Sequence, residues 1–370
     1  MTYALPTFEH HLAAHPCPPT TLVLATHVLE TSVGFIDGLA RATDLHAVLG
    51  IPYSTTAPAF SQVSARHRLL TPPNLAEMRT RTREETLDAL RVRPHGPVVL
   101  HEIGGYCAPD VTTFATHPGF AGVVEDTKQG HWRYAEQPHL PVPVLSIAES
   151  PLKDLENRQV GRSIAYSLNR LMRSAFHRLA CESVVGVIGY GGIGRALARS
   201  LADEGSRVLV HDSDPIRAAQ AIVDGFSLPG RSEVLAGADI VLGVSGQRSI
   251  TRDDFALMRP GAILGSGSSK QIEIDVEYLA TRPSSPTHEA VTEIDVDGKP
   301  IHLLNAGKPI NFLDQSILGR VLDLVYTELY MCIRAVALGA RPAGLAMLDT
   351  DSQRSIAEVW CSKHRTLVPA

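Results

Sequence analysis

The sequence predicts an α/β fold with two doubly wound domains joined by long hinge helices, and three observations support this prediction. Short apolar segments alternate with segments of helical periodicity along most of the chain, a pattern typical of largely parallel sheets. One apolar segment, 184–188, leads directly into a glycine-rich turn that a helix-forming segment follows. The chain has 370 residues, enough for two domains with separate cores.

The first region of the chain contains alternating predicted strands and helices. Apolar segments bounded by turn residues predict strands at 21–25, 46–51, 97–101 and 142–147. Helical periodicity predicts helices at 30–42 and 74–91, and a Pro-Pro pair precedes the second. A long helix, 157–180, is expected to connect this region to the next one.

The second region, 183–305, has the pattern of a dinucleotide-binding domain. Strands are predicted at 184–188, 207–211, 238–246 and 262–266, and a helix at 317–338 is expected to return to the first domain. The predicted domains are a split substrate domain (1–160 and 312–345), a nucleotide-binding domain (161–311) and a C-terminal tail (346–370). Both domains are expected to be Rossmann-like.

The glycine-rich turn has the spacing Gly-x-Gly-x-x-Gly at Gly189, Gly191 and Gly194. The first glycine allows a tight turn, the second lets backbone N–H groups approach a pyrophosphate, and the third lets the helix pack on the strand. Asp212 ends the next strand, where a carboxylate accepts hydrogen bonds from ribose hydroxyls and repels a 2′-phosphate. The pattern therefore favours NAD, although Arg217 lies close downstream. The predicted cofactor site also contains Gly192, Ile193, Arg217, Ser245 and Gly246.

Composition excludes several classes of function. The net charge of −5 argues against a nucleic-acid partner, and no apolar run approaches the length of a membrane helix. The five cysteines are scattered, without the spacing of a zinc site, and the histidines form no ligand pair on a predicted helix. We therefore expect reduced thiols, no metal, no membrane partner and a cytoplasmic location, since the N-terminus lacks the layout of a signal peptide.

Several phrases outside the glycine motif carry a family resemblance. They are Ala-Thr-His at 25–27, Gly-Gly at 104–105, Glu-Asp-Thr-Lys-Gln-Gly at 125–130, Ser-Pro-Leu-Lys at 150–153, Gly-Arg-Ser at 161–163, Asp-Ser-Asp-Pro at 212–215, Ile-Glu-Ile-Asp at 272–275 and the segment 303–311. In order and spacing the chain resembles the adenosylhomocysteinase (S-adenosylhomocysteine hydrolase) family. The resemblance implies a tightly bound NAD that is recycled in each turnover, a nucleoside substrate and a homo-oligomer, either a dimer or a tetramer.

The resemblance also implies a reaction in which the 3′-hydroxyl of a nucleoside is oxidised transiently. The resulting ketone acidifies the C4′ proton, a base removes that proton, and the group on C5′ leaves. Lys153 matches the family lysine that assists hydride removal, and a lowered pKa is expected for it. His27 matches the histidine near C5′, and Asp126 stands where a glutamate contacts the ribose. Thr127 and Asn311 match residues near the nicotinamide, although Asn311 could equally cap a helix.

Departures from the family are concentrated at the substrate positions. The acid that pairs with the C5′ histidine becomes Ile103, with Glu102 as a possible substitute, and the base-like aspartate becomes Asn157, an amide that cannot accept a proton. The Gly-His-Phe-Asp phrase becomes 267–270, Gly-Ser-Ser-Lys, and the adenine-end Gly-His after Asn311 is absent. The tail also lacks the family's Lys…Tyr ending. Lys153 and Glu102 are the candidates for the C4′ base.

These departures favour an enzyme that keeps the redox half of the reaction and changes the C5′ half. The prediction is an NAD-dependent lyase or dehydratase that expels the 5′ substituent and leaves a 4′,5′-unsaturated nucleoside, as found among nucleoside antibiotics. True S-adenosyl-L-homocysteine hydrolysis is the alternative. A non-catalytic NAD-binding regulatory protein is the second alternative, and the retention of Lys153, His27 and Asp126 argues against it.

Overall fold

A computed structural model describes residues 4–93, 96–268, 270–316 and 319–365 of the chain. The chain divides into two compact units, Met1–Glu156 with Gly319–Ala370, and Asn157–Leu318. Both units contain a largely parallel sheet with helices, so the predicted α/β class with two Rossmann-like units is confirmed. The predicted boundaries, after 160 and after 311, differ from these by a few residues.

The secondary structure gives the bounds of each element in chain order. The strands are β1 (Thr21–Val28), β2 (Asp44–Thr55), β3 (Leu69–Leu70), β4 (Val98–Glu102), β5 (Phe120–Glu125), β6 (Pro143–Ser146), β7 (Val184–Ile188), β8 (Arg207–His211), β9 (Ile240–Gly243), β10 (Ala262–Ser266), β11 (Ser284–His288), β12 (Val291–Val296), β13 (Lys299–Leu304) and β14 (Gly344–Ala346). The α-helices are α1 (Pro6–Ala14), α2 (Val33–Ala42), α3 (Ala57–Ser64), α4 (Met78–Val92), α5 (Val111–Phe114), α6 (Lys128–Ala135), α7 (Pro151–Phe176), α8 (Gly192–Asp203), α9 (Pro215–Val223), α10 (Arg231–Gly237), α11 (Arg252–Phe255), α12 (Val276–Leu279), α13 (Val321–Ala337) and α14 (Thr350–His364).

The sheet of the first unit has seven strands in the order β14-β6-β5-β4-β1-β2-β3 among the described residues. Its strand pairs are parallel. Successive residues of β1 belong to different cores, since Leu22 and Leu24 pack in one apolar cluster and Val23 and Ala25 in another. Both faces of the sheet are therefore covered, as in a doubly wound fold. Strand β1 lies between β4 and β2, and the strand order reverses at this place. Ligands of such sheets bind at that reversal.

The sheet of the second unit has the order β11-β12-β13-β10-β9-β7-β8 within the described part of the chain. Strands β8, β7, β9, β10 and β13 are parallel neighbours, whereas β11 and β12 run antiparallel at one edge. The sequence pattern did not predict this antiparallel edge. The strand order reverses beside β7, which leads into the glycine-rich turn.

Two helices differ from their predictions in ways that concern the site. Helix α7 begins at Pro151, six residues before the predicted start, because proline fits the first turn and the hydroxyl of Ser150 accepts the Leu152 N–H at 3.1 Å. The segment predicted as a C-terminal tail contains α14, which belongs to the first unit. Gln353 of α14 donates to Glu328 of α13 at 3.0 Å and to Ser150 at 3.2 Å, and all three side chains are buried.

Candidate active site

The glycine turn of the second unit has no room for larger residues at two of its positions. Gly189 has a φ of +107°, and a Cβ there would lie 2.8 Å from the Ser245 nitrogen. A Cβ at Gly194 would lie 2.1 Å from the Gly189 carbonyl oxygen. These contacts account for the first and third glycines of the motif, one through the tight turn and the other through packing of α8 on β7.

The second glycine lies beside open space. Gly191 precedes α8, and a Cβ there would meet only the guanidinium of Arg217, at 3.3 Å. The N–H groups that begin α8 have no intrahelical partner, so this end of the helix can receive a pyrophosphate. Ile193 is half-buried in the same first turn. Asn157, predicted to face the ribose, lies next to this turn, because a Cβ at Gly192 would come within 2.7 Å of its amide nitrogen.

Asp212 lies at the end of β8, where the ribose-binding acid is expected. One carboxylate oxygen accepts the Tyr190 N–H at 2.5 Å and the other accepts the Asp214 N–H at 2.8 Å. These bonds fix the carboxylate beside the glycine turn. Arg217 is paired with Asp214, at 3.6 Å, so its charge is partly neutralised. This arrangement agrees with NAD as the cofactor.

Ser245 and Gly246 are held by a carboxylate that the sequence analysis quoted only as part of a family phrase. Glu273 is fully buried and accepts from the Gly246 N–H at 2.5 Å, from the Ser245 hydroxyl at 2.9 Å and from the Ser249 hydroxyl. Burial raises the pKa of Glu273 to about 7, although these hydrogen bonds oppose the shift. Glu273 therefore fixes the loop after β9.

Asn311 is buried, with an amide oxygen that has no hydrogen-bond partner among the described residues. Its amide nitrogen lies 3.3 Å from the Ser316 hydroxyl, so the side chain is oriented while its acceptor stays available. A buried acceptor of this kind is unfavourable unless a ligand completes it. Together with the open glycine turn and the fixed Asp212, this orphaned oxygen fits an NAD-binding unit.

In the first unit, polar side chains gather where strands end. His27 is the penultimate residue of β1, Ser54 is the penultimate residue of β2, and Asp126 follows β5 directly. Lys153 lies in the first turn of α7, which follows β6. Because carboxyl ends of parallel strands share one edge of the sheet, these groups occupy the edge where doubly wound folds bind ligands.

Lys153 lies between two carboxylates. Its Nζ is 2.7 Å from Asp126 Oδ1 and also contacts Glu156 Oε2, and each of the three side chains is less than one-fifth exposed. Burial alone would lower the pKa of Lys153, but the charges of Asp126 and Glu156 outweigh it and raise that pKa above its ordinary value. The prediction of a lowered pKa for Lys153 is therefore wrong, because Glu156 adds a second negative charge beside its ammonium.

The two carboxylates respond differently to this shared ammonium. Burial would raise the pKa of Asp126, but Lys153 lowers it below the ordinary value, with help from His101 and His27. For Glu156 burial outweighs Lys153, and its pKa is raised. Glu156 is not among the residues predicted for the site. The sequence pattern that could have indicated Glu156 is the Lys-x-x-Glu spacing on α7, but this spacing usually indicates a surface ion pair.

His27 is paired with a hydroxyl. Its Nδ1 lies 2.5 Å from Ser54 Oγ, and its ring lies 6.3 Å from the ring of Tyr53. Ile103, at the position of the family acid, is only 3% exposed and belongs to an apolar core. Ser54 is not among the predicted site residues, because nothing in its local sequence distinguishes it.

Glu102, the predicted substitute for that acid, is fully buried within the first unit. Tyr134 donates to its Oε1, and the Cys107 N–H lies 3.2 Å from Oε2. Its neighbour Glu125 is also fully buried and accepts from Gly104 and Gly105 nitrogens, both at 2.8 Å. Both carboxyl groups hold the loop after β4, so the geometry corrects the prediction that Glu102 faces a substrate.

Thr127 caps the N-terminus of α6 in the first unit. Its hydroxyl accepts the Gly130 N–H at 3.2 Å and donates to Glu125 at 2.7 Å. These bonds account for Thr127 through helix capping, and its predicted contact with the cofactor stays a prediction.

Three potential metal ligands, His46, Glu85 and Asp88, come together among the described residues. Arg68 binds both oxygens of Glu85, and Arg91 lies 2.5 Å from Asp88. We therefore interpret this group as an ion-pair network on the first unit.

Comparison with known proteins points to one family for the second unit. Residues 163–317 match the family model described as S-adenosyl-L-homocysteine hydrolase, NAD binding domain. The S-inosyl-L-homocysteine hydrolase of Methanopyrus kandleri is 32% identical over 234 residues, 60% of this chain and 54% of that protein. The adenosylhomocysteinase of Thermotoga maritima is 31% identical over 222 residues, 55% of this chain and 54% of that protein. Among solved structures, a dipicolinate synthase from Bacillus halodurans has a TM-score of 0.44 at 12% identity, covering 88% of this chain and 98% of its own.

The fold and the glycine turn define an NAD-binding α/β protein, and NAD as the cofactor is confirmed. Residues 163–317 match the NAD-binding domain of the adenosylhomocysteinase family, and the chain is similar to curated proteins of that family at about 30% identity. Its alignments span about half the length of the curated relatives that it matches. No helix in the described part of the chain is long and apolar enough to cross a membrane.

Proposed function

We propose that this protein is an NAD-dependent nucleoside lyase, most specifically a 4′,5′-dehydratase of nucleoside secondary metabolism. The first unit binds the nucleoside and the second binds NAD, which stays bound and is regenerated in each turnover. When bound, NAD supplies a reversible hydride acceptor for the sugar carbon that carries the 3′-hydroxyl. We further propose a cytoplasmic homo-oligomer, a dimer or a tetramer, as the resemblance implies.

The observation that carries this proposal is the group of Lys153, Asp126 and Glu156 beside His27 at one edge of the first sheet. His27 lies close enough to Asp126 for its charge to help lower the pKa of that carboxyl group. A buried ammonium between two carboxylates can orient sugar hydroxyls and move protons from them. A non-catalytic regulatory protein has no use for three buried charges at this edge, because burying them costs free energy.

His27 supports elimination rather than hydrolysis. The Ser54 hydroxyl at Nδ1 orients the imidazole. An imidazole held in this way can give a proton to a leaving 5′-oxygen. With Ile103 in the apolar core, the position of the family acid contributes no carboxylate to this pair.

Isotope exchange and mass change test this function together. Purified protein incubated with adenine nucleosides in deuterated water should incorporate deuterium at C4′ and release a product lighter by one water. The variant His27→Ala should still exchange C4′ but eliminate about 10²–10⁴-fold more slowly, since it lacks the general acid. A wild-type protein that neither exchanges C4′ nor loses water with any nucleoside would contradict the proposal.

Hydrolysis of a nucleoside thioether is the second candidate. The matched relatives are named for hydrolysis of S-inosyl- or adenosyl-homocysteine, which favours a related substrate here. The two candidates differ in one product, because hydrolysis releases homocysteine. Thiol release at a rate comparable to C4′ exchange would support the hydrolase and contradict the dehydratase.

A further inference from the structure

The carboxylate expected on α7 is present one residue earlier than the family pattern puts it. Asn157 stands at the aligned position, whereas Glu156 precedes it and contacts the Lys153 ammonium. Glu156 and Lys153 are three residues apart on one helix, so their side chains share a face. Glu156 is 8% exposed, which makes it a buried member of the cluster rather than a surface ion pair.

Lys153 cannot act as a simple base in this setting. Two carboxylates hold its ammonium, and their charges favour the protonated form by raising the pKa of Lys153. An ammonium can still pass protons on if it gives one up at the moment it accepts another. Such a relay needs a final acceptor in contact with the ammonium, and Asp126 and Glu156 are the two groups that meet this condition.

We propose that Lys153 relays the proton of a substrate sugar hydroxyl to Glu156, an inference that rests on the proposed function. The O–H bond of the substrate breaks, and its electron pair stays on the sugar oxygen as an alkoxide. Lys153 gains this proton and gives one of its own to a carboxylate oxygen of Glu156. Lys153 ends as it began, an ammonium, while Glu156 becomes a neutral acid and the sugar oxygen carries the negative charge.

The surroundings favour Glu156 over Asp126 as the acceptor. Asp126 is stabilised as an anion by Lys153, His101 and His27, which lowers its pKa. Glu156 faces Lys153 and Asp126, and burial with the Asp126 charge raises its pKa. Glu328 of α13 adds a further buried carboxyl near Lys153 and Asp126. A proton therefore rests more favourably on Glu156 than on Asp126.

The first test measures protonation without turnover. Infrared difference spectra of the full-length protein across pH should show carboxylic-acid absorption that disappears above the ordinary glutamate range, with contributions from Glu156 and from the other buried glutamates of raised pKa, Glu125 and Glu273. Glu156→Gln should lose one part of this absorption, and Glu156→Asp should keep it. Asp154→Asn, which removes one carboxylate from an exposed position on the same helix, should match the wild type. Carboxylic-acid absorption of unchanged intensity in Glu156→Gln would overturn the proposal.

The second test measures NADH formation in a single turnover with a nucleoside. Glu156→Gln should slow this step about 10²–10⁴-fold and remove the acid limb of its pH profile, whereas Asp154→Asn should retain both. A purely structural role would lower thermal stability and leave the acid limb in place, which would also overturn the relay. If part of the carboxylic-acid absorption is lost in Glu156→Gln but no nucleoside reduces NAD in the wild type, the proposed function fails, whereas Glu156 is confirmed as the proton acceptor of the cluster.

Discussion

Glu125 illustrates how single buried residues organise the first unit. Its carboxyl group accepts from Gly104 and Gly105 and from both the backbone and the hydroxyl of Thr127. Burial, followed by the charge of Glu102, raises the pKa of Glu125 from 4.5 to about 8. The loop after β4 and the start of α6 therefore depend on one titrating group.

This raised pKa predicts a pH dependence of stability. Because the native pKa exceeds the unfolded one, the native state binds the proton more tightly. This contribution is complete below about pH 4.5 and is lost as pH rises through about 8. Glu125→Gln should remove this loss, so urea unfolding at several pH values should show a flatter profile for the variant. Glu136→Gln, at an exposed position, is the control, and parallel profiles for wild type and Glu125→Gln would contradict the assignment.

Individual residues also show how much of the candidate site the sequence predicts. His27, Asp126 and Lys153 could be selected because their local phrases match a family pattern, and the structure gathers them at one edge of the sheet. Ser54 and Glu156 could not be selected in this way. Ser54 acts through His27, which is distant in sequence, and the sequence does not show that Glu156 is buried. Glu102 was selected for its position, but the hydrogen bonds to Tyr134 and Cys107 direct it into the core.

At the level of elements, the turn from β7 into α8 predicts that one substitution can weaken NAD binding while leaving the stability of the fold unchanged. Gly191 has extended backbone that any residue can adopt, and its Cβ would meet only the flexible Arg217 side chain. The free energy of unfolding of Gly191→Ala should therefore be close to that of the wild type. The added methyl group would occupy the open side of the turn, so NAD affinity should fall at least about tenfold, or about 1.4 kcal/mol, in a calorimetric titration.

A matched substitution on another helix controls for the loss of a glycine. A Cβ at Gly237, the last residue of α10, would make an ordinary contact of 3.6 Å with Leu209. Gly237→Ala should therefore leave both stability and NAD affinity nearly unchanged. If Gly191→Ala bound NAD as tightly as Gly237→Ala does, the open side of the turn would not be the pyrophosphate site.

The strands that the sequence did not predict lack the uniform apolar pattern of a buried strand. Strand β5 is buried yet contains Gly122, with a φ of +145°, and ends in Glu125, so it lacks the uniform apolar run of a central strand. The antiparallel edge β11 to β13 has exposed polar residues in β11, where one face meets solvent. Strands β1, β4 and β7 were predicted well because they are buried and uniformly apolar for most of their length.

On the scale of the whole molecule, each unit has its own apolar cores. Clusters around β1 and α13 belong to the first unit, whereas clusters around β7 and β10 belong to the second. The two tryptophans of the chain, Trp132 and Trp360, both lie in the first unit. Tryptophan emission therefore reports unfolding of the first unit, while far-UV circular dichroism reports the helices of both.

This distribution predicts how NAD changes thermal unfolding. The glycine turn, Asp212 and Asn311 all lie in the second unit, so NAD at 100 times its Kd should stabilise that unit by about 2.7 kcal/mol. The circular dichroism transition should therefore move to higher temperature by more than the tryptophan transition does. Gly191→Ala, with an about tenfold lower affinity and at the same NAD concentration, should show about half of this stabilisation, about 1.4 kcal/mol. A shift confined to tryptophan emission would contradict the assignment of the cofactor to the second unit, because only the first unit contains the reporting side chains.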